Sequence, residues 1–397
     1  RDAQESRGLG DVYKRQLKYQ LFNVDGDKYD VVAKGKADRI GIHGSFVEIK
    51  ITNGEKRTRE VALPTHNEAI EEVTKELLNG ALASMEEIDA VGHRIVQGGD
   101  IFKNSDLVTD TVIEQIEELS ELAPLHNHAH VLGIKAVQKL LPNVPQTVVF
   151  DTAFHQTMPK EAFLYALPME QYTKHKIRRY GFHGTSHAYV SQKAAELIGK
   201  RGKIITCHLG NGASISAVDN GICLDTSMGF TPLAGLVMGT RCGDIDPYIP
   251  LYICKTQNKT PDEVNEILNK KSGMFGLCGY SDNRDIETLY GVEECATDAL
   301  NAYIHSIIRF IGAYIAVLGG VDAIVFTAGI GENGSLVRKL VIERLAYLGI
   351  TLDEEANSKR GDITDISTKD SKVRVFVIPT DEEYMIAKDT MNIVFGA

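Results

Sequence analysis

The chain has no long basic run, no CxxC pair, no low-complexity linker and no N-terminal apolar h-region. Each absence narrows the field. With a net charge of −11 at pH 7 and no basic cluster, neither nucleic acid nor an anionic membrane surface is an expected partner. The six cysteines are scattered without a ligand spacing. They fit reduced thiols in a cytoplasm better than a disulfide frame or a zinc ribbon. Residues 1–16 do not read as a signal peptide. No uninterrupted apolar run reaches bilayer-spanning length. The most apolar stretch, residues 304–321, carries Arg309 and separated glycines and is expected to be a buried helix. What is present is ordinary globular material. In 397 residues, 43% are hydrophobic and 24% charged, which predicts about two domains with ample core.

Residues 1–16 show no strand period and no apolar face, and regular pattern begins abruptly at Leu17. Strand-like runs follow at 17–22, 29–33, 39–51 and 57–62, with turn signals at Asp25-Gly26 and Asn53-Gly54. Helical periods occupy 67–78, 112–122 and 129–140, and short buried strands 90–96 and 146–150. After about residue 150 the pattern repeats in kind: strands at 203–208, 213–217, 222–226, 323–327 and 373–378, with long helices and a helix over 335–348. Two similar mixed halves predict a duplicated α/β domain with a cleft between, and clefts at domain boundaries favour ligands.

Three glycine corners carry the chemistry. His208-Leu209-Gly210-Asn211-Gly212 sits between two strands. A dinucleotide fold or P-loop opens a helix after its glycines; here the chain returns as strand, making a hairpin that bares backbone N–H groups. Asn211 and Ser214 add polarity, and such a concave turn suits phosphate oxygens. It also suits an ordinary hairpin. The second corner, Gly329-Ile330-Gly331-Glu332-Asn333-Gly334, follows a buried strand and precedes a helix at Ser335. Without Cβ atoms its backbone admits a flat or anionic ligand, or it is a plain loop with Asn333 and Ser335 as caps. The third is Gly181-Phe182-His183-Gly184-Thr185-Ser186-His187. His183 can donate to a phosphate there, while His187 reads better as structural.

Arg94 and Arg241 lie in apolar or glycine-rich settings. They can bind a carboxylate and a phosphoryl group, or pair with an acid such as Asp244 or Asp246. Asp151 ends a strand, and Glu382 and Glu383 precede a helix. Acids so placed suit Mg²⁺, although Glu383 can equally stabilise a helix N-terminus. His126, His128 and His130 allow a zinc reading, but no zincin glutamate follows and no cysteine is near, so a histidine-rich helix start is preferred.

As an ordered set these blocks resemble the acetate kinase family, in the superfamily of sugar kinases and actin. The motifs that carry the resemblance include Gly92-His93-Arg94-Ile95-Val96, Phe150-Asp151-Thr152-Ala153-Phe154-His155, Asp225-Thr226-Ser227-Met228-Gly229-Phe230 and Gly239-Thr240-Arg241-Cys242-Gly243-Asp244, with the three glycine corners. The resemblance runs from Leu17 nearly to the end. It implies two RNase-H-like, actin-like lobes: residues 1–150 with 381–397 returning, and a nucleotide-binding lobe over 151–380. It implies reversible transfer from Mg-ATP (Mg²⁺ or Mn²⁺) to acetate, giving acetyl phosphate and ADP, in a homodimer. By position, Arg94, Arg241 and His183 surround the transferring phosphoryl group across the gap between lobes, and Asp151 orients acetate or assists the metal. Glu382 is the metal-linked acid, with Glu383 one residue away. Val96, Leu125, Phe182 and Pro232 hold the methyl group. The nucleotide set is His208, Leu209, Gly210, Asn211 and Gly212, then Asp282, Asn283 and Arg284, then Gly329, Ile330, Gly331, Glu332 and Asn333.

Two departures stand out. His128 replaces the family's usual proline. More seriously, residues 1–16 replace the family's first strand and its serine-rich phosphate turn, and look like foreign coding sequence. A chain so begun is expected to be poorly active and less stable. Two other readings follow: a propionate or butyrate kinase, or a nucleotide-binding protein without transfer. A zinc hydrolase built on the three histidines is a third.

Overall fold

The computed structural model describes residues 5–10, 16–123 and 126–396. Contacts divide the chain into two units, Arg1–Ala153 with Asp381–Ala397, and Phe154–Thr380.

The first unit holds an eight-stranded sheet. Its strands are β1 (Glu5–Gly10), β2 (Gln16–Asp25), β3 (Lys28–Asp38), β4 (Phe46–Ile51), β5 (Lys56–Glu60), β6 (Ile88–Ile95), β7 (Asp106–Leu107) and β8 (Gln146–Phe150). Their order is β5-β4-β3-β2-β1-β6-β8-β7. The pattern expected over 39–51 shortens at its start, because Arg39, Gly41 and Gly44 take positive φ and turn the chain before Phe46. β1 corrects the expectation that the first strand is lost. Glu5–Gly10 lies antiparallel to β2 (Gly8 opposite Gln20) and parallel to β6 (Gly8 opposite Gly92). Two facing strand edges offer a full ladder of backbone donors and acceptors, and that ladder needs no side-chain alternation. The expected loss of the phosphate turn concerns the stretch after β1, residues 11–15, which lies outside the described residues, as do residues 1–4.

Helices close both faces of this sheet. His66–Leu78 starts from a Thr65–Glu68 capping box and buries Ala69, Ile70, Val73 and Leu77. They meet Leu17, Leu21, Ile49 and Val91 in one core cluster. On another cluster Ala387 and Met391 of the last helix, Glu382–Phe395, pack against Phe22 and Val24.

The second unit holds β9 (Lys203–Leu209), β10 (Ala213–Asp219), β11 (Ile222–Thr226), β12 (Ala323–Thr327), β13 (Thr364–Asp365) and β14 (Arg374–Val377). Their order is β11-β10-β9-β12-β14-β13. β9 and β10 form the antiparallel hairpin, and β12 runs parallel to both β9 and β14. Setting flanking strands aside, both sheets read third, second, first, fourth, fifth in chain order. The duplication is therefore one of topology, and β1 supplies the first strand that the first copy needs.

Two further differences from the sequence reading are local. The turn after β12 is not a loop: Ala328–Asn333 is a short helix entered through Ala328 at φ 64°, and Gly334 separates it from Ser335–Leu345. The apolar stretch near 304–321 belongs to a longer helix, Glu294–Leu318, which is long and apolar enough to cross a membrane by those two measures alone. Leu300, Tyr303, Ile304, Ile307 and Ile311 are buried along it, and it packs on β10 and on Gly273–Cys278.

Candidate active site

In the first unit, Arg94 lies near the end of β6 and Asp151 follows β8, its parallel neighbour. Asp151 N–H donates to the Ile95 carbonyl at 2.9 Å, which fixes the acid beside the arginine. Arg94 Nε donates to Asp151 Oδ1 at 2.8 Å and Nη2 to Oδ2 at 2.6 Å, a two-pronged pair. Both residues are buried, with Arg94 8% and Asp151 2% exposed. Glu382 Oε2 stands 3.7 Å from Arg94 Nε. Of the two adjacent acids, Glu382 is thus the one beside Arg94, while Asp381 caps the helix at Tyr384 N–H. The acid partner of Arg94 is Asp151. Asp244 and Asp246 accept from the backbone of Gly235 and Tyr248. Val96, two residues on from Arg94, is buried. Leu125 lies outside the described residues.

In the second unit, His183 is the residue before helix Gly184–Ile198 and holds φ 60°, a left-handed conformation costly for a residue with a side chain. Its Nδ1 lies 2.9 Å from Ser214 Oγ, and its ring stacks on His208 at 4.1 Å between centroids. His187 Nε2 lies 2.7 Å from the same Ser214 oxygen, and its Nδ1 2.7 Å from Thr206 Oγ1. A hydroxyl has one proton, so Ser214 can donate to one of these rings while accepting from the other. His208 Nδ1 meets Ser186 Oγ at 2.8 Å, and Ser186 accepts from Thr380.

Gly212 lets two of these groups approach. A Cβ there would stand 3.2 Å from Arg241 Nη1 and 3.7 Å from His183 Cε1. Arg241 Nη1 donates to the Pro232 carbonyl at 3.2 Å. A Cβ on Gly239 would collide with Asn211 Oδ1. His183, His208, Asn211, Gly212, Pro232 and Arg241 are therefore one cluster around the hairpin. Phe182 is buried behind it, its carbonyl 3.0 Å from His155 Nε2. By sequence Ser186 reads as an N-cap, Thr380 has no role and Ser214 only general polarity; the helix instead begins at Gly184 after His183, which places Ser186 inside its first turn. The signal for Ser214 was available, since a hairpin turning at Gly210, Asn211 and Gly212 sets it opposite His208.

Gly210 and Asn211 also line a cavity of about 1040 Å³. Asp282, Asn283, Arg284, Gly329, Ile330 and Asn333 share its wall, as do Glu287, Leu336 and Arg360, which the sequence reading did not single out. His208, Leu209, Gly212, Gly331 and Glu332 are not on that wall. Leu209 is in the core. The Gly331 carbonyl accepts from the buried Arg338 at 2.8 Å. Glu332 Oε1 accepts from the backbone of Ala328 (2.8 Å) and Thr380 (3.2 Å), tying the turn to the chain beyond β14. Arg284 forks onto Asp282, and those hydrogen bonds bring the Asp282 carboxyl down to about 2.

Among the described residues no three His, Cys, Asp or Glu side chains gather as a metal cluster. The zinc reading gains no support: His128 pairs with Glu117 on an exposed face and His130 is buried. Mg²⁺ asks for less, one or two carboxylates with water and phosphate completing the shell. Arg94, Asp151 and Glu382 together carry one excess negative charge, and the two carboxylates offer hard oxygen ligands. That donor set fits Mg²⁺ or Mn²⁺.

Burial gives three histidines a role in stability. It pushes His93 and His155 down to about 4, and His187 well below its ordinary value. Unfolded, each would titrate near 6.5. As pH falls from about 6.5 towards 4, the unfolded chain takes up protons that the folded one refuses, so stability is lost across that window. Urea midpoints at pH 7.5, 6 and 5 should fall steadily, and a flat profile would contradict the buried neutral rings.

A sequence model of the acetokinase family matches residues 14–388. The chain is 56% identical over 386 residues to the acetate kinase of Halothermothrix orenii, covering 95% of this chain and 96% of that one. Among solved structures it resembles the acetate kinase of Porphyromonas gingivalis, with TM-score 0.93 and 45% identity over 99% of this chain and 100% of that chain. It also resembles a propionate kinase from Francisella tularensis, with TM-score 0.92 and 39% identity over 99% and 100%.

Proposed function

The chain belongs to the acetokinase family, and from that premise we propose that it is an acetate kinase, moving the terminal phosphoryl group of ATP to acetate and back. The observation that carries the reading is the β9–β10 hairpin. Its Gly210 and Asn211 line a cavity of nucleotide size, while its Gly212 adjoins Arg241 and His183.

Acetate is already ionised at pH 7, so the reaction needs no strong base. An acetate oxygen attacks the terminal phosphorus in line. The bond from that phosphorus to the bridging oxygen breaks, and its electron pair leaves on ADP. Catalysis then consists of alignment and of stabilising charge on the equatorial oxygens. His183 and Arg241 donate to those oxygens, and His208 and Asn211 hold the phosphates. Arg94, oriented by Asp151, receives the acetate carboxylate. Glu382, with Asp151 near, would hold Mg²⁺ or Mn²⁺, which would neutralise phosphate charge. Acetyl phosphate trapped as the hydroxamate from ATP and acetate tests the reading. ADP binding without any acetyl phosphate would favour the reading without transfer.

Likeness to a propionate kinase keeps a second reading alive. One methylene is worth only ~1–3 kcal/mol of discrimination, so turnover of acetate, propionate and butyrate must be compared side by side.

The protein works as a homodimer in the cytoplasm. All six cysteines are unpaired thiols, which suits a reducing compartment. Helix Tyr248–Gln257 buries none of its residues and leaves Tyr248, Leu251 and Tyr252 more than half exposed. An apolar helix so bare supports an interface with a second copy. Sedimentation should give a dimer, and Leu251→Glu should give a folded monomer. A monomeric parent would refute this.

A further inference from the structure

We propose that Asn283 and Glu287 read the exocyclic amino group of the nucleotide base, so that the cavity selects adenine over bases with a carbonyl oxygen at that position. The inference rests on reading the cavity as the nucleotide site.

Asn283 is 8% exposed and lies on the cavity wall. Its Nδ2 donates to Glu287 Oε1 at 2.7 Å, one helical turn further on. That bond fixes the amide's orientation, because the opposite orientation would set a carbonyl oxygen against a carboxylate. The amide oxygen, Oδ1, is then a buried acceptor with no hydrogen-bond partner. Buried acceptors are nearly always satisfied, and this one belongs to a residue of the cavity wall, so the donor it lacks is one that a ligand can bring.

Glu287 strengthens the demand. Burial raises its carboxyl, while Asn283, Arg338 and Arg360 oppose that rise. As a carboxylate it accepts and does not donate. Gly334 keeps the way to it clear, since a Cβ there would stand 2.8 Å from Glu287 Oε1. Ile330 and Leu336 provide apolar wall for a flat ring. The site thus offers two neighbouring acceptors beside an apolar surface. Adenine carries an amino group with two hydrogens, one for each acceptor. Hypoxanthine, the same ring with oxygen in place of that amino group, would meet both acceptors with a third and leave Asn283 Oδ1 without a donor.

Calorimetry with ADP and IDP on the full chain, paired with ATP and ITP turnover, tests this. The parent should bind ADP at least ~10-fold more tightly than IDP, with a similar preference in kcat/KM. Asn283→Leu should weaken ADP binding about tenfold more than IDP binding, bringing the ratio towards one; using the ratio removes any general loss of fold. Glu287→Gln, whose amide can present a donor, should shift the ratio the same way. Equal affinity for ADP and IDP in the parent, or parallel losses in Asn283→Leu, would overturn the inference while leaving the kinase reading standing. ADP preferred over IDP with no acetyl phosphate formed would overturn the kinase reading and leave this one standing.

Discussion

An Asp151→Asn variant is expected to lose about 3–5 kcal/mol of folding stability and most of its acetyl phosphate formation together. Asp151 is 2% exposed and binds Arg94 through both oxygens. Removing the carboxylate's charge strands a buried guanidinium, and breaking a buried pair from one side costs about that much. Glu382, at 3.7 Å and on one nitrogen, recovers only part of it. Arg94→Met should behave differently. It leaves a carboxyl that can take up a proton, so its stability loss should be smaller. Its catalytic loss should be large, of the order of 10²–10³ in kcat/KM for acetate, as expected when the group that binds and aligns the acetate carboxylate is removed. The double variant, with neither charge, should be more stable than Asp151→Asn alone. Urea midpoints with hydroxamate assays on the three variants separate the two effects. If Asp151→Asn stays within about 1 kcal/mol of the parent, the pair is solvated and its positioning role falls.

The contrast between that pair and its surroundings shows what the chain makes legible. Helices such as His66–Leu78 announce themselves through a capping box and a buried stripe, both local properties. The β9–β10 hairpin does so through glycines between alternating runs. β1 does not, because its place is dictated by the edges of β2 and β6, far along the chain. The helical turn at Ala328–Asn333 is hidden for another reason: two of its residues are glycines, poor helix formers, held by Arg338 and Glu332 contacts that only the folded unit provides. At the site, residue types pointed to Arg94, Asp151, His183 and Arg241 as candidates. They could not say that Asp151 is the acid Arg94 pairs with, since that follows from β6 and β8 being parallel neighbours. Arg360 was invisible for the same reason, being brought to the cavity by tertiary packing from a stretch without motif character; Glu287 lies one helical turn beyond Asn283 and needed only the helix over 283–289 to be read.

His183→Asn should lower kcat by a hundredfold or more while leaving stability within about 1 kcal/mol of the parent. The choice of asparagine matters. His183 sits at φ 60°, where asparagine is among the few residues at ease and alanine is strained by about 1 kcal/mol or more. Alanine would therefore mix backbone strain with loss of the ring, and asparagine isolates the ring. What it removes is a donor whose other nitrogen meets Ser214 and whose face stacks on His208. Ser214→Ala keeps the ring and loosens its orientation, so its kcat should fall less, about tenfold, with little change in KM for acetate. The order of the two losses is the diagnostic. If His183 served only to pack the hairpin, both variants would lose stability and the rate would follow it. If it meets the phosphoryl group in flight, the rate falls in two stable proteins, and kcat for His183→Asn within threefold of the parent would show that it does not.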